Sequence, residues 1–137
     1  MNINEYLEEI QLIDTKIANK QYEVDMWKEI AKGTAGRSEG ERVQSSANQQ
    51  KTANAVAKYV DIEREIEALN RERALFIKRI ERLKKNQYNV MHDVYIKGMT
   101  LRQSALSHMK KSTWSSTIHK LAKKELQKII EGEKDVQ

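Results

Sequence analysis

The sequence holds no cysteine and no proline, and only one phenylalanine and two tryptophans among its 137 residues. Without cysteine there is no disulfide framework, no thiolate metal site and no cysteine nucleophile, which suits a reducing compartment. The absence of proline, with 6% aromatic and 33% charged residues, argues for long solvated helices and against an all-β fold. Nothing approaches the roughly 18 consecutive apolar residues of a membrane span, and MNINEYLEEI has neither a basic start nor an apolar run. The expectation is a chain that is neither exported nor membrane-spanning and works in the cytoplasm. A hydrophobic share of 39% supports only a modest core.

What the sequence does have is charge, unevenly spread. The net charge is +5, yet residues 1 to 50 carry nine acidic and six basic side chains. From Lys97 to Lys124 there are seven basic residues and no acidic one: Lys97, Arg102, Lys110, Lys111, Lys120, Lys123 and Lys124. Such one-sided charge is what a polyanion partner requires; a solvated face with no partner is the other reading.

Apolar residues recur at alternating spacings of three and four in two long segments. The first runs Ile3, Tyr6, Ile10, Ile13, Ile17, Lys20, Val24, Trp27, Ala31, and the second Tyr59, Ile62, Ile66, Leu69, Arg73, Phe76, Ile80, Leu83. Both are heptad seams. Between them, AKGTAGRSEGERVQSS contains Gly33, Gly36 and Gly40 and no apolar period, which reads as a loop. Two long helices, at about 3 to 32 and 49 to 85, are therefore expected to form an antiparallel coiled-coil hairpin over 1-85 that also serves oligomerisation. Lys20 and Arg73 interrupt the seams and suit register control or snorkelling at an edge.

Beyond Asn86 a single seam no longer fits. Tyr88, Met91, Val94 and Tyr95 mark a short helix stopped by Gly98, and Thr100 can cap a second that turns Leu101, Ala105 and Met109 inward. Ser112 offers an N-cap hydroxyl for a third helix running to about Ile130, so that 86-131 forms a three-helix unit and 132-137 a tail. On that third helix Trp114, Ile118, Leu121, Ala122, Leu126 and Ile129 fall on one face, which is core, and Trp114 belongs there rather than on a membrane. Thr113, Ser116, Thr117 and Lys120 fall opposite, with Lys123 and Lys124 behind them. Small hydroxyls near a helix start can reach base edges while lysines meet phosphates, as in a recognition helix in the major groove. Thr113, Ser116, Thr117 and Lys120 are thus candidates for base readout, and Arg102, Lys110, Lys111, Lys123 and Lys124 for phosphate contact. His119 stands at the edge of this helix, open to a phosphate or to solvent.

The segment from Val90 to Leu126 resembles region 4 of sigma factors and its phage relatives, through Tyr95, Ile96, Gly98, Thr100, Leu101, Gln103 and Ala105, then Thr117, Ile118, Lys120, Leu121, Lys124 and Leu126. Upstream, ERVQSS followed by AVAKYVDIEREI is similar to a block in small phage proteins of Gram-positive bacteria, the late-gene regulators of the ArpU and RinA type. The resemblance implies an all-α chain with a C-terminal helix-turn-helix, binding to double-stranded DNA at a phage promoter in the host cytoplasm, and late-gene activation with host RNA polymerase. The sequence departs from the family at Ser104, where an apolar residue is usual, and in a helix-to-helix spacing about three residues longer. Ser115 and Ser116 stand where relatives are often basic.

His92, His108 and His119 are too far apart to form a spaced ligand set, and His92 and Asp93 are neighbours without a nucleophile. No metal, cofactor or enzymatic activity is expected. Two other readings remain: a small terminase subunit recognising a packaging site, which would form a ring, and a coiled-coil adaptor binding only protein.

Overall fold

The computed structural model describes residues 2–33 and 46–136, and all the regular structure among them is helical: α1 (Ile3–Lys32), α2 (Ser46–Ile80), α3 (Lys85–Tyr95), α4 (Leu101–Ser107) and α5 (Ser112–Val136). Gly36, Gly40 and most of the ERVQSS block lie outside the described residues.

Local signals set the limits of α1. The Asn2 side-chain carbonyl accepts the Glu5 backbone N–H at 2.9 Å, and Glu5 and Lys32 sit at the ends that suit their charges. Every position of the first seam is buried or half-buried, and outside it only Leu7 and Lys28 among residues 2–33 escape full exposure. The second seam is covered from Tyr59 to Leu83 and continues backward through Ala55 and Thr52.

The chain divides into two compact units, Asp14–Arg71 and Met1–Ile13 with Glu72–Gln137. In Asp14–Arg71, Val24 and Ala55 are the most deeply buried side chains of the two arms. Lys20, the polar break in the seam, reaches Glu65 at 2.7 Å. Lys28 reaches Glu63 at 3.6 Å and lies 5.5 Å from the Tyr59 ring centre. The partners on α2 run backward as α1 runs forward. Exposed pairs of this kind contribute at most about 1 kcal/mol each but penalise a slipped register.

The other unit is built around Leu7, Ile10 and Ile13 of α1, Phe76 and Ile80 of α2, Val90, Met91 and Val94 of α3, Ala105 of α4, and Ala122 and Leu126 of α5. Here the second long helix ends at Ile80, not near residue 85. Two tight i→i+3 turns, Arg82 N–H to Arg79 C=O and Leu83 N–H to Ile80 C=O, lead to an extended Lys84 that opens α3. No glycine or proline forces that break. It redirects the chain so that α3 can bury Val90, Met91 and Val94, a packing gain that overrides good local helix propensity.

Gly98, at φ +77°, lets the Met99 N–H close back on the Asp93 carbonyl after α3. Thr100 caps α4 in a reciprocal box with Gln103: the Gln103 N–H donates to Thr100 Oγ1 at 3.1 Å, and the Thr100 N–H to Gln103 Oε1 at 2.9 Å. Met109, expected inward, sits instead in the α4–α5 turn at φ +58° and is 94% exposed. Residues 132–136, expected as a tail, continue α5. There Glu133 accepts bonds from Arg79 at 2.7 and 2.9 Å, and Arg79 also donates to the Tyr6 hydroxyl at 2.9 Å. These bonds tie the last turns of α5 to α2 and α1.

Candidate nucleic-acid interface

Helix α5 presents two unlike sides. Ala122 and Leu126 are fully buried, Ile118 and Ile129 half-buried, and Ser115 is also fully buried. Its hydroxyl donates to the Leu101 carbonyl of α4 at 2.7 Å and lies 2.9 Å from the Ser112 carbonyl of its own turn. The inward face is therefore centred near Ser115, Ala122 and Leu126, rotated by roughly 50° at 100° per residue from the face read from the sequence. Leu121, expected in the core, is 46% exposed, and Trp114 is half-buried at the edge, 5.7 Å from the His108 ring. Ser112, expected to cap the helix, is its first residue, and its carbonyl takes the Ser115 and Ser116 hydroxyls.

Thr113, Ser116, Thr117 and Lys120 are all exposed. Lys124 is exposed further along the helix, Lys123 is half-buried at its flank, Arg102 is exposed on α4, and Lys110 and Lys111 are exposed on the turn. No carboxylate among the described residues pairs with Lys120, Lys123 or Lys124, although acidic residues follow on the same helix from Glu125. The small-hydroxyl end of α5 thus points outward as one surface, with cations on the turn before it and on the turns after it.

Two polar clusters behind this surface were not legible as clusters in the sequence. Asp93 on α3, 3% exposed, accepts from the Ser104 hydroxyl of α4 at 2.9 Å, lies 3.0 Å from His108 Nε2, and pairs with Lys97 at 3.3 Å. Burial alone would raise its pKa, but the hydrogen bonds from Ser104, His108 and Lys97 together hold it below the ordinary carboxylate value. Ser104, the departure from an apolar family position, is thus a fully buried donor. Because Ser104 and His108 bond to Asp93 rather than to each other, the three hold α4 and its turn against α3. They do not form a nucleophile and base couple.

The second cluster joins α3 to α5. The Tyr95 hydroxyl lies 2.7 Å from His119 Nε2 with the rings stacked at 5.8 Å, and Phe76 and Tyr95 meet edge-on at 6.0 Å. Burial pushes the Tyr95 phenol up to about 12, and burial, with the Lys123 charge, lowers His119. Both are uncharged at neutral pH. His119 therefore turns inward, not toward phosphate or solvent. The signal for both clusters was a polar residue adjoining an inward-facing apolar one, as Ser104 adjoins Ala105 and His119 adjoins Ile118.

Among the described residues no group of histidine, aspartate or glutamate side chains is placed to hold a metal ion, and no helix is long and apolar enough to cross a membrane. Comparison with family models, with curated proteins and with solved structures returns no match for this chain.

Proposed function

We propose that this chain is a sequence-specific DNA-binding transcriptional regulator in which α4 and α5 act as a helix-turn-helix and α5 is the recognition helix. One observation carries the reading: Thr113, Ser116, Thr117 and Lys120 are exposed together while the opposite side of the same helix is buried, in a stretch with seven basic residues and no acidic one. Hydroxyls and a lysine on the leading turns suit base edges, and Arg102, Lys110, Lys111, Lys123 and Lys124 suit phosphates on either side. The antiparallel arms of α1 and α2 serve as a hairpin for self-association, which would present two recognition helices to a two-fold site.

The resemblance to late-gene regulators of the ArpU and RinA type supplies the setting: a phage promoter, activation, and host RNA polymerase as a protein partner. The deciding experiment is affinity selection of phage and host genomic fragments at near-physiological salt, followed by sequencing. A sharp peak upstream of an operon is expected. A peak at a packaging site together with a ring-shaped oligomer would assign the chain to a small terminase subunit, and enrichment no better than background would remove the DNA reading. On a selected site, Lys124→Ala should weaken all DNA alike and flatten the salt dependence by roughly 0.9 log unit per decade for each lost phosphate contact. Thr117→Ala should relax preference among sequences.

A further inference from the structure

Between the first turn of α1 and the outer side of α5 runs an open groove of about 530 Å³. Ile3, Lys120, Lys123, Lys124, Gln127 and Lys128 line it. The α5 positions span two helical turns, so the groove is about 12 Å long on that side. Ile3 and the methylene stems of the lysines make its walls chiefly apolar, while four ammonium groups can reach its rim. Three of those cations, Lys120, Lys123 and Lys124, pair with no carboxylate among the described residues, and Lys128 has only an exposed contact to Glu125 at 3.6 Å.

A phosphodiester backbone can satisfy the rim but has nothing to place in an apolar trough. A ligand that satisfies both carries carboxylates spaced around a bulky apolar side chain. We infer that this groove is a docking site for an acidic segment of a partner protein, which inserts an apolar side chain beside Ile3 and sets carboxylates against Lys120, Lys123, Lys124 and Lys128. Docking itself is independent of the DNA reading. Its regulatory consequence rests on that reading: Lys120, Lys123 and Lys124 belong to both surfaces, so the acidic segment and DNA exclude each other.

The test starts with a phage-displayed library of random dodecapeptides selected against the full chain, and a selected peptide, fluorescently labelled, is then titrated by anisotropy. Sequences combining several carboxylates with a leucine, phenylalanine or other bulky apolar residue are expected. Affinity should fall tenfold or more in the double variant Lys123→Glu with Lys124→Glu, and likewise in Ile3→Glu. Circular dichroism establishes that each variant is folded; if Ile3→Glu is not, the lysine variant decides. No acidic–apolar consensus, or a consensus peptide indifferent to the folded variants, overturns the site. Binding of phosphatidylglycerol vesicles with the same variant dependence, and no peptide enrichment, overturns it in favour of an anionic lipid. Duplex DNA from the genomic selection is then added to the bound peptide. Displacement supports the shared surface, and simultaneous binding overturns mutual exclusion. Peptide binding by a chain that binds no DNA overturns the proposed function but leaves the groove standing.

Discussion

The arms in Asp14–Arg71 and the helices α3 to α5 solve the same problem by different means. In the arms one spacing rule, three and four residues alternating, decides which side chains are covered, and the polar contacts are surface pairs such as Lys20 with Glu65. In α3 to α5 the helices are short, no common spacing governs them, and buried polar groups such as Asp93, Ser104 and Ser115 occupy places that apolar residues would otherwise take. Two long parallel-sided surfaces need only a stripe. Three short helices meeting at angles need individual bonds to fix those angles.

The largest effect expected from this contrast is in the apolar interior of the unit that holds α3 to α5. Phe76, fully buried between Tyr6 and Tyr95, should cost about 3 to 5 kcal/mol when changed to alanine, measured by urea or thermal unfolding. Val24→Ala, in the arms, removes two methyl groups and should cost about 1.5 kcal/mol, so a larger loss there than at Phe76 would reverse the comparison.

Next comes the polar contrast. Asp93→Ala strands the buried Ser104 hydroxyl and releases His108, and should cost about 2 to 3 kcal/mol; Lys20→Ala, which breaks an exposed pair, should cost less than about 1 kcal/mol. The double variant Asp93→Leu with Ser104→Ala should recover part of the loss in stability. If DNA affinity does not recover with it, the hub sets the angle of α4 and α5 beyond merely holding them together.

Smaller effects are expected at the two left-handed positions. Gly98→Ala meets no neighbour within 4 Å, so its cost of about 1 kcal/mol is backbone strain alone. Met109→Gly should stabilise by up to about 1 kcal/mol, because it relieves the same strain while losing almost no contact. Equal and opposite shifts in melting temperature would fit, and a destabilised Met109→Gly would give that methionine a partner.

The smallest effect is in pH dependence. His119 and His92 both have folded pKa values lowered by burial, so the unfolded chain binds their protons more tightly and stability must fall as pH drops through the ordinary histidine range, about 6.5. His119→Phe should remove part of that slope and leave the part due to His92. Asp93, lowered in the folded state, contributes stability that is present above the ordinary carboxylate range and is lost below it. Asp93→Asn should therefore flatten the acid limb of a stability curve near pH 4, and, because the Asp93 charge raises His92, it should slightly steepen the limb near pH 6.

The seam made α1 legible, since all of its positions lie within Ile3–Lys32. The start of α4 was equally plain because Thr100, a capping residue, stands just before Leu101. The end of α2 was not, because ERLKK continues helix propensity and only the burial of α3 interrupts it. The candidate contact residues carry exposed side chains, except Lys123, which is half-buried. The roles of Leu121 and His119 were misread because a wheel drawn on one helix carries an error of about half a residue step, and that of Met109 because α4 ends at Ser107 and leaves it in the turn. That error is enough to exchange an edge residue for a core one.

The sequence by itself determined a helical chain with two seams and a basic, acid-free stretch, because periodicity and charge are properties of neighbours along the chain. Tertiary structure alone decided that α2 stops at Ile80, that Glu133 extends α5 through its bonds to Arg79, and that Asp93, Ser104 and His108 meet. These are contacts between residues 11 to 54 positions apart. Their free energy depends on where separate helices come to rest, which no local pattern encodes.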